Sequence, residues 1–94
     1  MIDAGKARDK TKARLTVIAK EFITNNVDPE IQKAIDGGLF YTTIDMSEVT
    51  NAAQVGKEAV CQLEKAGYHA KFNESESKNN YEAHITLDWM VDEG

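Results

Sequence analysis

Apolar residues first recur at helical spacing: Leu15, Ile18, Ala19, Phe22 and Ile23 fall on one side of a 3.6-residue repeat. This predicts a helix from about Asp3 to Asn26. Alanine, lysine and arginine, all good helix formers, fill its first half. Upstream of Leu15 the stripe fades to Ala4, Ala7 and Ala13. Residues 1–14 are therefore expected to form a basic helical arm, exposed or frayed in an isolated monomer. Asn25-Asn26 reads as a stop. Asp28 then reads as an N-cap with Pro29 at the first helical position, where its missing N–H costs nothing. Ile31, Ala34 and Ile35 give this second helix a short apolar face, and Gly37-Gly38 ends it.

Period two takes over from there. Leu39 to Met46 is rich in β-formers, with Phe40, Thr42, Ile44 and Met46 on the face expected to point inward. A third helix follows, opened by Ser47 or Asn51, with Asn51 and Gln54 placed like a capping box and Ala52, Val55, Ala59, Val60 and Leu63 as its buried stripe. Gly56 within it implies close packing on the sheet. Gly67 closes the helix, and Tyr68 to Asn73 forms a second strand. Tyr81 to Trp89 alternates without interruption and is the strongest strand signal in the chain. The run NESESKNN between these two strands reads as a long polar hairpin loop.

The expected class is α+β: N-terminal helices, then β-α-β-β, with a three-stranded mixed sheet in order 1-3-2. The last strand is placed centrally because it is longest and most regular. Helices are expected on one face of the sheet, leaving the other polar.

Ninety-four residues make a single domain, 1–94. Phe22, Phe40, Phe72 and Trp89 are expected to supply much of its small core. With 41% hydrophobic and 29% charged residues, the composition excludes a disordered acidic tail, a collagen-like repeat and a disulfide scaffold. No apolar run approaches the roughly 20 residues of a membrane span. The lone Cys61 and the lack of an apolar leader in MIDAGKARDK lead to the expectation of a cytoplasmic protein, inside the host if phage-encoded.

Charge is polarised. Residues 1–20 carry six basic against two acidic side chains, net +4; the remainder carries five lysines against 14 acids, net −9. A basic head on an acidic body suits contact between copies, or a basic arm for another partner. The plain alternative is a solvated helix face.

Candidate chemistry is sparse. There is no GxxxxGK[ST] or GxGxxG pattern. His69, His84 and Glu82 form a conceivable cluster on the polar sheet face, but two histidines without a cysteine partner make a poor zinc set, and a solvated face is the simpler reading. Cys61 reads as a small buried hydrophobe. No cofactor, metal or catalytic set is expected, and the chain is read as a non-enzyme. Nucleic acid is disfavoured as a partner by the acidic body and by the absence of aromatics among the basic residues.

The run from Pro29 to Trp89 resembles small uncharacterised phage and prophage proteins. The likeness rests on GGLFYTTIDM, LEKAGYHAKF and the closing strand YEAHITLDW. It covers about two-thirds of the chain and its motifs are structural, so it implies an α+β fold and a phage origin but assigns no functional residue.

The first functional expectation is an interaction protein, a phage-encoded accessory factor that binds a host or phage protein, such as a host defence protein, as a homo-oligomer. Leu15, Ile18, Phe22 and Ile23 are its expected interface. The alternative is a nucleotide or small-anion module with sites between subunits, using Lys10, Arg14 and Lys20 as charge partners and Tyr41 as a stacking surface. A virion structural component is the third.

Overall fold

A continuous helical run fills the first third of the chain. It consists of α1 (Ala4–Phe22), a π turn (Ile23–Val27) and α2 (Asp28–Asp36). The computed structural model describes residues 1–90; the acidic run Val91-Asp92-Glu93-Gly94 lies outside them. The Asp3 carboxylate caps α1 by accepting from the Lys6 N–H at 2.9 Å. All of residues 1–14 are exposed, and the chain is helical from Ala4 onward.

The expected break at Asn25-Asn26 does not occur, and no side chain caps α2. The Asp28 N–H instead reaches the Ile23 carbonyl, five residues back. Pro29 is the physical cause. It has no N–H to continue an α ladder, and its ring would crowd the carbonyl of Asn25. One extra residue in a π turn relieves both problems without ending the helix.

α2 ends as the glycines predict. Gly38 takes φ 77, its N–H bonds to the Ile35 carbonyl, and the Leu39 N–H bonds to the Ala34 carbonyl at 2.8 Å. Gly67, at φ 100, repeats the arrangement after α3 (Ala52–Lys65), with Tyr68 N–H on the Leu63 carbonyl. A left-handed C′ residue is what this motif requires. The start of α3 differs from expectation. Asn51 itself is left-handed (φ 59, ψ 41) and its side chain makes no cap bond.

The strands are β1 (Tyr41–Asp45), β2 (His69–Ser77) and β3 (Asn80–Asp88), in order β1-β3-β2. The order is as expected, but the sheet is antiparallel throughout rather than mixed. β1 and β2 run the same way, as a β-α-β unit makes them. Because β3 lies between them, each adjacent pair is antiparallel, a split β-α-β arrangement. The polar run NESESKNN is mostly strand. Pairing continues to Ser77 opposite Asn80, leaving Lys78-Asn79 as a two-residue turn with Asn79 at φ 89.

α3 packs on β2 and β3, α2 on β1, and α1 on α3. The core joins Ile44 and Met46 of the first strand region, Val55, Ala59 and Leu63 of α3, and Ala83, Ile85 and Leu87 of β3 to Ala19, Phe22, Val27 and Ile31. Phe72 and Trp89 are half-buried against it. Phe40, one residue ahead of β1, is exposed, against expectation. Cys61 is exposed as well, since Ala59 and Leu63 take the inner side of α3. No helix among the described residues is long and apolar enough to cross a membrane.

Candidate functional site

The corner between α2 and β1 leaves large apolar groups uncovered. Ile31 and Ala34 take the inner side of α2, so Ile35 points away and is 51% exposed. The Gly37-Gly38 turn then delivers Leu39, Phe40 and Tyr41, which are 45%, 52% and 61% exposed. Phe40 is held in place by its backbone: its carbonyl accepts from the Trp89 N–H at 2.9 Å. Trp89 in turn meets Tyr68 edge to face, with ring centres 5.9 Å apart.

This corner leads into an open sheet edge. Trp89 N–H bonds to the Phe40 carbonyl, and Met46 N–H to the Ala83 carbonyl at 2.8 Å. Backbone groups alternate sides along an antiparallel strand. Residues 40, 42, 44 and 46 therefore turn their N–H and C=O toward β3, while Tyr41, Thr43 and Asp45 turn theirs outward, where the described chain places no strand. Edge strands are commonly blunted by charge or proline. β2, the opposite edge, carries Lys71, Glu74 and Glu76; β1 has neither lysine nor proline, and its one charge is at its end, Asp45. That carboxylate accepts from the Ser47 N–H at 2.9 Å. The hydrogen bond from Ser47, helped by the nearby His84, holds Asp45 below its ordinary carboxyl value.

The open face of the sheet is polar. Strand register sets Tyr41, Asp88 and His69 in one row, Thr43, Thr86 and Lys71 in the next, and Asp45, His84 and Asn73 in a third. The first two rows line a shallow depression of about 400 Å³. His69 and His84 share the face but not a site, because His69 lies opposite Asp88, four residues or about 13 Å along β3 from His84. Among the described residues, no three His, Cys, Asp or Glu side chains group closely enough to hold a metal ion. At the hairpin, the Tyr81 hydroxyl donates to the Glu74 carboxylate at 2.9 Å, and this bond raises the phenol above its ordinary value.

The residues expected at an oligomer seam are largely used within the chain. Phe22 is buried in the core, and Leu15, Ile18 and Ile23 are half-buried against it. The apolar stripe of α1 finds α3, to which the Gln62 side-chain amide adds a bond to the Thr16 carbonyl at 3.0 Å. Lys10 and Arg14 line a shallow depression with Leu15, Ile18 and Asn51, whereas Lys20 lines another with Val17 and Glu21. Tyr41 is on the open sheet face. One chain therefore does not bring the expected anion contacts together. Among the described residues the basic groups of α1 make no ion pair, and the one ion pair is Lys33–Glu30 at 3.6 Å.

Sequence puts Ile35 on the apolar face of α2 and Phe40 in the core, where the structure exposes both, and it does not single out Leu39 or the outward backbone of β1. The available signal was the uncharged stretch FYTTI in a strand that order 1-3-2 puts at an edge. Set against family models, curated proteins and solved structures, the chain matches none of them, so its functional reading rests on its own residues.

Proposed function

We propose that this chain is a non-enzymatic interaction protein, a phage-encoded accessory factor that acts as a homo-oligomer and binds a host or phage protein. The observation that carries this is the set of uncovered apolar side chains Ile35, Leu39 and Phe40 at the corner of α2 and β1, with Tyr41 exposed beside them on the open sheet face. Single exposed apolar residues are ordinary; several at one corner, beside an unpaired strand edge, mark an association surface. The exposed α1 arm, whose Lys6, Arg8, Lys10, Lys12 and Arg14 make no ion pair among the described residues, supplies a second surface suited to an acidic partner.

Co-expression of two differently tagged copies tests the self-association. The two copies are expected to co-purify, and an Ile35→Asp/Phe40→Asp variant is expected to abolish this while keeping its circular dichroism. Failure of the wild-type copies to co-purify contradicts the reading. For the foreign partner, repeated capture from host lysate is expected to return the same protein; capture that never repeats contradicts that half.

A further inference from the structure

We infer that β1 pairs with β1 of a second copy, antiparallel and centred on Thr43, merging two three-stranded sheets into one of six strands. This rests on the homo-oligomer reading and specifies its interface.

The outward row of Tyr41, Thr43 and Asp45 presents alternating N–H and C=O groups, and the complement to such a row is another extended strand. A twofold axis at Thr43 opposes each outward residue with another: Thr43 with Thr43, and Tyr41 with Asp45 of the second copy. Centring on Thr42 would instead set Asp45 against Leu39, outside the strand, so the Thr43 register uses the full row. An interface of this kind is self-complementary, as a twofold dimer requires.

Charge fits the same register. Each Asp45 carboxylate faces a Tyr41 phenol, a hydrogen-bond donor, and the two Asp45 groups are displaced by four residues, about 13 Å. The open-face rows then run His69, Asp88, Tyr41, Asp45, His84, Asn73 across both copies, with Asp45 onward from the second, and Lys71, Thr86, Thr43 meeting its own image. On the helix side, Thr42 meets Ile44 of the second copy, and the exposed Phe40 comes opposite the Met46 position. The β2 edge offers a poorer alternative, because it carries Lys71, Glu74 and Glu76, charges of the kind that blunt an edge.

Two substitutions test the register. Thr43→Cys in a Cys61→Ser background removes the exposed native thiol. It places two cysteines across a hydrogen-bonded pair, where Cα atoms stand about 5.5 Å apart, within disulfide reach. Mild oxidation is expected to give a cross-linked dimer. Thr43→Pro removes only an outward N–H, leaving the bonds to β3 intact, which is where an edge strand accepts proline. It is expected to raise the dimer dissociation constant about tenfold or more without changing the far-ultraviolet circular dichroism. A wild-type dimer that survives Thr43→Pro, with no Thr43→Cys cross-link, overturns the β1 pairing and leaves the homo-oligomer standing. A wild-type chain that is monomeric at all concentrations overturns both. If the proline variant unfolds, the cross-link alone decides.

Discussion

The ring of Phe72 on β2 occupies the space where a side chain on Gly56 of α3 would stand; a Cβ built there overlaps the ring. Glycine in a helix interior costs about 1 kcal/mol relative to alanine, and close approach of helix to sheet is what it permits here. Gly56→Ala is expected to destabilise despite its better helix propensity, since overpacking costs about 1–3 kcal/mol. The net loss of up to about 2 kcal/mol corresponds to a fall in Tm of up to roughly 16 °C for a domain of this size. Thermal unfolding checks it, and Phe72→Leu in the same chain should recover part of the loss. A Tm raised by Gly56→Ala would show that the contact does not constrain α3.

The π turn at Ile23–Val27 joins α1 to α2 with one residue more than an α-helix uses. Deleting Asn25 should force α geometry through this region and turn α2 by about 100° relative to α1. Ile31 and Ala34 would leave the core, and Pro29 would fall inside a regular helix. Loss of cooperative unfolding is the expected result, measured by denaturant titration. By contrast, Asn25→Ala keeps the residue count and should leave the transition within about 0.5 kcal/mol of wild type.

Asn79 sits at the hairpin tip with φ 89, a region that glycine and asparagine occupy more readily than other residues. Asn79→Gly should be neutral or slightly stabilising, and Asn79→Val should cost about 1–2 kcal/mol. Chemical denaturation of the two variants side by side separates turn conformation from general surface effects.

Asp45 gives a pH signature. The Ser47 N–H, foremost, and the neighbouring His84 favour its ionised form, so it titrates below the ordinary 3.8. A group depressed in the folded state adds stability that is fully present above its unfolded value and is lost as pH falls through the folded one. The stability advantage of wild type over Asp45→Asn should therefore be steady above pH 3.8 and shrink below it. Carbon-detected titration of the side-chain carboxyl checks the direction, and a midpoint above 3.8 would contradict it.

How much of this was legible beforehand depended on whether a local rule stood alone. Gly37-Gly38 and Gly67 ended their helices as expected, because glycine most readily takes the left-handed C′ position there. The central place of β3 followed from its length and strict alternation. Pro29 supported two structures equally well, a new helix start or a π turn, and only the fit of Ile31 and Ala34 against β1 decides between them. The stretch Asn73–Asn80 looked like a loop because strands projecting beyond the helix layer carry polar residues on both faces. Phe40 matches the inward period of β1 and keeps its backbone bond to Trp89, yet its ring is exposed. The stripe Leu15, Ile18, Phe22 and Ile23 is apolar, and it packs into the core of its own chain.

Light scattering after size exclusion, over a concentration series at low and high salt, tests the central claim most directly. Pairing through β1 predicts a mass twice the 10.4 kDa of the chain, persisting at high salt because backbone hydrogen bonds and apolar contacts hold it. A dimer that dissociates as salt rises would place the contact on the basic α1 arm instead. A mass of 10.4 kDa at every concentration and both salts would contradict self-association altogether.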